Sequence, residues 1–516
     1  MSIILDAVDR PDEVAIRDSL SVLSWRELDD LVDRVVTRLA ALGIGRGDRV
    51  AVFAENSLET VTAHLAALLV GAASVPVNFH LTAREVGDIL SDARARLILV
   101  GPETAQTGVE ASAFTDDCRV LGWRCADRPG VEEWTCSRAD ADAVRATRTA
   151  RPYANILYTS GTTGSPKSTE LPPTMFAGGA TIEEHLTLLR TQATMASGAS
   201  TVPGTHLVVG PLYHTGPLCA YRLLAGGTPV AVLGRFDAEQ TLAAIERFSI
   251  ASTSMVPTHF RRLLAVPEAT RNGYAVSSLK HVWTTGAACP PALKQAMIDW
   301  WGPVISEAYG ATEVGTVTSI SAEEWLGHRT SVGRCIPPFE ALVIDDDGNP
   351  CPVNEVGRLY FRDATGRGVV YLNDAEKTAA AHLAPGVFTL GEIGYVDADG
   401  YVYITDRVTD MVISGGVNVY PAEAEKVLSP HPAVQDVAVI GVPDADMGEA
   451  LMGLIVLNPG SSVDEQELVN FCRENLAHYK CPTRIEFRPD LERTELGKLN
   501  KRRLRAPYWP SERTIG

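Results

Sequence analysis

Tyr158-Thr159-Ser160-Gly161-Thr162-Thr163-Gly164-Ser165-Pro166-Lys167 is the stretch on which the reading of this chain turns. The apolar residues 154–158 lead into it and read as a strand entering a turn. Small hydroxyls, backbone amides freed by glycine and a closing ammonium make a cradle for an anion, and nucleotide phosphates suit such a cradle. Ser/Thr/Gly turns also occur as plain surface turns. The Pro-Lys ending sets this one apart. The Walker A pattern G-x-x-x-x-G-K-[ST] is not met, because Pro166 stands where its second glycine belongs. Proline has no N–H to offer a phosphate and its φ is fixed, so a Walker-type phosphate loop is excluded.

Around this loop lie 516 residues, too many for one ordinary core, so two or more domains are expected. A hydrophobic content of 45% and a charged content of 21% are those of a globular protein. The net charge of −18 speaks against non-specific nucleic-acid binding and against an anionic membrane surface. Nine cysteines are scattered with no C-x-x-C pair, which predicts a reduced, cytoplasmic protein without disulfides or structural zinc. The first residues, Met1-Ser2-Ile3-Ile4-Leu5, run at once into Asp6, unlike a signal peptide. The longest apolar stretch, residues 65–77, is broken by glycine and proline and is too short for a bilayer span. It reads as a buried helix followed by a strand.

Upstream, Ser24-x-x-Glu27 and Thr82-x-x-Glu85 are capping boxes. After the first, Leu28, Leu31, Val32, Val35, Leu39 and Leu42 recur at helical spacing. Residues 49–53, 74–77 and 96–100 read as strands, with a helix capped at Asn56-Ser57 between the first two. This alternation predicts a parallel α/β layer. Residues 101–150 carry little signal. A helix is expected around residues 182–190, and residues 207–209 read as a strand leading to Pro211-Leu212-Tyr213-His214-Thr215-Gly216. Further on come Trp283-Thr284-Thr285-Gly286-Ala287-Ala288, Glu307-Ala308-Tyr309-Gly310-Ala311-Thr312-Glu313 and Gly391-Glu392-Ile393-Gly394. Asp406-Arg407-Val408-Thr409-Asp410, Ser414-Gly415-Gly416-Val417-Asn418 and Arg493-Thr494-Glu495-Leu496-Gly497-Lys498 complete the series.

In order and spacing these motifs resemble those of the adenylate-forming superfamily, which includes acyl-CoA synthetases, luciferases and peptide-synthetase adenylation domains. The first loop is similar to its Y-T-S-G-T-T-G-x-P-K-G, with Ser168 for the last glycine. The resemblance runs from about Glu13 to Arg505. It implies a large N-terminal α/β domain of layered sheets and helices, residues 1–406, and a smaller mobile α+β domain, residues 407–516. It implies ATP, Mg²⁺ and coenzyme A as cofactors, and a carboxylic acid that is first adenylated and then passed to a thiol.

Residue by residue, the resemblance assigns Thr159, Ser160, Gly161, Thr162, Thr163, Gly164 and Lys167 to the phosphates. Gly286, Ala287 and Ala288 lie along the adenosine, and Glu307, Ala308, Tyr309, Gly310 and Ala311 form the adenine wall with Tyr309 stacking. Thr312 meets the α-phosphate and Glu313 holds Mg²⁺, a hard cation that prefers oxygen ligands. Glu392 replaces the aspartate of T-G-D and reaches the ribose from one methylene further out, with Arg407 beside it. Thr409 stands at the hinge position, which usually holds Asp or Lys. Gly415 and Gly416 line the pantetheine tunnel, and Lys498 bridges the carboxylate and the α-phosphate.

His214 follows a tyrosine, as in acyl-CoA synthetases, and lies near the reacting carboxylate. Amino-acid-activating relatives carry Phe-Asp there, and Tyr213-His214 supplies no counter-ion for an α-ammonium. The expected pocket stretches, residues 215–220, 283–285 and 314–319, contain no Lys or Arg. A neutral apolar monocarboxylate, fatty, alicyclic or aromatic, is therefore expected, and Trp283 is either a pocket wall or core, with core preferred. The alternatives are a ligase loading a carrier-protein thiol, luciferase-type oxygenation, and an inactive homologue acting as a binding partner. The last would have lost Lys167, Glu313 or Lys498, and all three are present. The partners are a small acid and CoA. No nucleic acid and no membrane span are expected, and the oligomeric state is open, a homodimer included.

Overall fold

A computed structural model describes residues 9–159, 167–172, 175–176, 178–195, 204–286, 289, 291–345, 347–407, 412–419, 421–491 and 501–509. A few of these, Thr159, Lys167 and Arg407 among them, are described in backbone only. The phosphate-loop residues Ser160, Gly161, Thr162, Thr163 and Gly164 lie outside the described residues, as do Ala287, Ala288, Thr409 and Lys498.

Both capping boxes form. Ser24 caps the helix Trp25–Ala41, whose buried face is Trp25, Leu28, Val32, Val35, Val36 and Leu39. Thr82 caps the helix Ala83–Ala93, and the Glu85 carboxylate accepts from the Thr82 backbone in return. Ser57 caps the helix Leu58–Leu69. The strand Arg49–Phe53 pairs in parallel with Ala73–Pro76 on one side and Leu97–Val100 on the other. This sheet continues in parallel through Arg119–Gly122 to Glu132–Glu133.

A second sheet, of fifteen strands among the described residues, runs through most of the larger domain. Its centre is parallel: Val230–Val232, Thr205–Val208, Ile250–Met255, His281–Thr284 and Ile305–Ala311. At Ile305–Ala311 the pairing turns antiparallel, with Gly315–Ile320 folding back on it. The hairpin is tight: a Cβ on Gly310 would overlap the Gly315 carbonyl, so only glycine fits there. The hairpin Ile156–Thr159 and Lys167–Glu170 forms separately, with Thr159 opposite Lys167, and brings the two ends of the phosphate loop together. The strand Tyr401–Arg407 lies between Ser331–Cys335 and Glu392–Val396 in the large sheet, with Arg407 opposite Glu392.

The smaller domain is α+β. Val417–Val419, Val412–Ser414, Gly448–Leu457 and Val434–Asp444 make an antiparallel run, and Arg484–Phe487 joins Gly448–Leu457 in parallel. The helices Pro421–Leu428 and Glu465–Asn475 cover it. Residues 101–150, silent in the sequence, hold the helices Ala105–Ser112 and Ala141–Thr147 and two short strands.

Three buried histidines carry a consequence for stability. Burial pushes His64 down to about 3, His206 to about 4 and His259 to about 3. All three are neutral in the folded chain and pick up a proton on unfolding below their ordinary value near 6.5. The unfolded state therefore binds more protons as pH falls from about 6.5 toward 4, and stability falls with it. Each histidine contributes a slope of about 1.4 kcal/mol per pH unit inside that window. Unfolding followed from pH 7 to pH 5 is expected to show a steady loss of stability, and His206→Gln is expected to flatten it. A slope that does not change in that variant would contradict the account.

Candidate functional site

The parallel strands of the large sheet end on one side, and their carboxyl ends open into one cavity of about 1950 Å³. This is where ligands sit in α/β sheets, because successive strands end there in loops that side chains can fill. Ile250–Met255 delivers Val256 to the wall, His281–Thr284 delivers Thr285 and Gly286, and Ile305–Ala311 delivers residues 307–313. From the antiparallel side come Leu390, Gly391 and Glu392. From the smaller domain come residues 413–417.

The nucleotide side of this cavity is tied together by hydrogen bonds. The Tyr309 hydroxyl donates to Glu392 Oε2 at 2.7 Å, so the expected adenine and ribose contacts form one unit. Glu392 is only 2% exposed. The extra methylene relative to aspartate is taken up by that reach to Tyr309. Gly391 beside it has φ +91°, and a Cβ there would meet only open space. Behind this wall, Lys294 donates to Glu307 Oε2 at 2.8 Å from a fully buried position, 4.7 Å from the Trp325 ring. Glu307 thus anchors the strand that carries Tyr309.

Thr312 and Glu313 stand in the turn between Ile305–Ala311 and Gly315–Ile320 and line the cavity. Among the described residues no cluster of three metal-binding side chains gathers. One carboxylate beside a phosphate site is nonetheless the donor set magnesium accepts, with phosphate oxygens and water completing its shell. Glu313 fits that part.

His214 is the N-cap residue of the helix Thr215–Ala225 and lies 4.4 Å, ring to ring, from Tyr213. Its Nε2 has no hydrogen-bond partner. Burial pushes its pKa down to about 4, so the ring is neutral at physiological pH. A neutral imidazole at the cavity wall can face a carboxylate as a hydrogen-bonding group and not as a fixed charge.

The smaller domain docks with its glycine loop against the cavity. Gly416, at φ +81°, brings its backbone so close to Val256 that a Cβ would sit within 3.0 Å of that side chain. Around the loop, Lys480 bridges Glu423 at 2.8 Å and Glu85 of the larger domain at 3.1 Å. Asn78 donates to the Tyr479 hydroxyl at 2.7 Å, and Arg262 pairs with Asp446 at 3.0 Å.

Two readings change. Trp283, expected in the core, is half-buried and lines the cavity, its ring edge against His281 at 4.5 Å. Period-2 alternation sends Val282 and Thr284 inward and leaves Trp283 on the other face. The expected stretch 215–220 contains no basic residue, but Arg222, just beyond it, lines the same cavity. Thr215, Cys219 and Arg222 stand at i, i+4 and i+7, one face of a helix. The helix after His214 was not foreseen, so that spacing was not put to use.

The N-terminal part, residues 5–369, matches the family model of the AMP-binding enzymes, and residues 423–498 match that of the AMP-binding enzyme C-terminal domain. A 3-[(3aS,4S,7aS)-7a-methyl-1,5-dioxo-octahydro-1H-inden-4-yl]propanoyl:CoA ligase of Mycobacterium tuberculosis is 34% identical over 96% of both chains. The amide bond synthetase McbA of Marinactinospora thermotolerans superposes with a TM-score of 0.84 at 26% identity, over 98% of this chain and all of that one. A double mutant of the o-succinylbenzoate CoA synthetase MenE of Bacillus subtilis, bound with its product analogue OSB-NCoA, gives 0.77 at 25% identity over 97% of each chain. MenE with the acyl-adenylate intermediate OSB-AMP gives 0.62 at 25% identity over 99% of this chain and 98% of that one. The chain belongs to the AMP-binding enzyme family. It is an AMP-forming acid–thiol ligase of the acyl-CoA synthetase branch, which uses ATP, Mg²⁺ and coenzyme A. Among the described residues no helix is long and apolar enough to cross a membrane.

Proposed function

We propose that this ligase activates an acid with an apolar body, fatty, alicyclic or aromatic, and transfers it to CoA in the cytoplasm. The carrying observation is the wall around Thr215, Cys219, Leu223 and Trp283, which is uncharged apart from Arg222 and adjoins a neutral His214. The relative's acid, a methyl-dioxo-octahydroindenyl propanoate, has such a body. The nine free cysteines support a reducing compartment.

The residue roles proposed are these. The loop from Thr159 to Lys167 takes the β- and γ-phosphates. Tyr309 stacks on adenine, Glu392 and Arg407 take the ribose, Thr312 contacts the α-phosphate and Glu313 carries Mg²⁺. His214 faces the acid's carboxylate. Two anions must meet in this reaction, so oriented donors and positive charge matter more than a base. Lys498 supplies that charge between the carboxylate and the α-phosphate. The domain division is placed at 406/407, and Thr409 is the pivot on which the smaller domain swaps Lys498 for Gly415 and Gly416.

Pyrophosphate release from ATP and Mg²⁺ across a panel of carboxylic acids, with and without CoA, tests this reading. Turnover of apolar acids that depends on CoA is the expected result. A single burst that CoA does not relieve would transfer the acceptor role to another nucleophile, such as a carrier-protein thiol.

A further inference from the structure

The cavity wall beyond His214 holds a cation, Arg222, that pairs with no carboxylate among the described residues. Arg222 lies on the helix Thr215–Ala225, which starts at His214, and it lines the cavity together with Met175, Cys219 and Leu223. Eight residues of helix put it about 12 Å from the His214 end at about 1.5 Å of rise per residue. Its Nη1 donates to the Met175 backbone carbonyl. Its Nε is shut off from solvent and has no hydrogen-bond partner.

The neighbouring groups do not neutralise it. His185, on the facing helix Ile182–Met195, is fully buried, and burial with Arg222 close by pushes its pKa down; neutral or protonated, an imidazole is no anion and does not pair a guanidinium. Its Nδ1 bonds the Gly178 carbonyl at 2.6 Å. The Tyr221 hydroxyl is given to Asn155. Glu183 and Glu184 on the same facing helix are exposed, and Glu184 accepts from the Ala180 backbone at 2.8 Å. Among the described residues no carboxylate pairs with Arg222.

A guanidinium with an unmatched, desolvated N–H is costly unless something supplies an acceptor. The wall around it is otherwise apolar, and the cavity beside it is open. We propose that Arg222 reads an oxygen acceptor, carboxylate or carbonyl, at the far end of the acid, about 12 Å of chain from the carboxyl that is activated. The substrate class is then narrower than an apolar acid: an apolar body with oxygen at both ends. This rests on the acid–CoA ligase reading and deepens it.

Three acids of equal length separate the outcomes: decanoate, its ketone at the penultimate carbon, and decanedioate. Pyrophosphate release with ATP, Mg²⁺ and CoA gives kcat/KM for each, and calorimetric titration of the same acids into the full-length protein gives binding. The wild type is expected to prefer an oxygen-bearing acid over decanoate by about tenfold or more, the effect of one hydrogen bond to a charged group. Arg222→Met is expected to abolish that preference and to hold or improve decanoate. Arg222→Lys keeps the charge and loses the fork, so it is expected to retain decanedioate and lose the ketone. If the ketone alone is preferred by the wild type, the acceptor is a carbonyl; if decanedioate alone, a carboxylate. A wild type that favours decanoate, or an Arg222→Met variant that weakens all three alike, overturns the proposal. Absence of pyrophosphate with every acid would count against the ligase reading only, because the calorimetric preference and its loss in Arg222→Met still decide the role of Arg222.

Discussion

Lys498→Ala is expected to slow acid-dependent pyrophosphate release by about 10²–10³-fold, the cost of removing one preorganised donor from a developing anion. The same variant is expected to convert a supplied acyl adenylate and CoA to thioester at close to the normal rate. The asymmetry follows from the charges. Adenylation pushes a carboxylate onto an already anionic α-phosphate, and Thr312, proposed to contact that phosphate, brings no cation of its own, nor do its neighbours on the cavity wall, Tyr309 and Gly310. Thiol attack on the adenylate starts from a weaker clash and releases the charge as AMP. Rapid-quench measurement of each half-reaction separates the two, and an equal loss in both would refute the assigned role.

How far the sequence could be read depended on whether the controlling forces were local. The capping boxes at Ser24 and Thr82 are contained within four residues each, and both formed as read. The parallel layer from residue 49 to 100 was visible because short buried strands alternate with a periodic helix. The turn carrying Thr312 and Glu313 could be placed by its motif. Residues 101–150 could not be read, because their helices are short and the strand Glu132–Glu133 owes its place to pairing with Arg119–Gly122. Trp283 leans to core in the sequence and lies on the cavity wall in the structure, since a strand end has two faces and only the tertiary fold says which one the cavity takes. Arg222 stays hidden for a similar reason: its spacing is helical, but the helix that carries it opens with Gly216 and Pro217 and is not among the helices read from the sequence. Contacts between the domains, such as Lys480 to Glu85, join residues nearly four hundred positions apart and leave no local trace.

That contact leads to the second large effect. Lys480 is 5% exposed, and burial works against its charge, yet Tyr479, Glu423 and Glu85 around it hold its pKa above the ordinary lysine range. Lys480→Met would leave the buried Glu423 and the half-buried Glu85 without their cation, and a loss of about 3–5 kcal/mol is expected on breaking such a pair from one side. Glu85→Gln makes a finer cut. Oε2 of Glu85 serves the Thr82 cap while Oε1 serves Lys480. Glutamine keeps the capping box with its amide oxygen, which turns its NH2 toward Lys480 and removes both the charge and the acceptor that face the smaller domain. The chain superposes better on MenE with its CoA product analogue, at a TM-score of 0.77, than on MenE with its acyl adenylate, at 0.62. On the proposed reading that the smaller domain changes position between the half-reactions, the Glu85–Lys480 pair is assigned to the thioester-forming position, and Glu85→Gln is expected to slow acyl transfer to CoA by about tenfold, as for one lost charge-assisted hydrogen bond. Adenylation should stay as it was. Half-reaction rates together with thermal midpoints for both variants check this. Equal slowing of the two half-reactions by Glu85→Gln, or a Lys480→Met variant as stable as the parent, would show that the pair does not hold this arrangement.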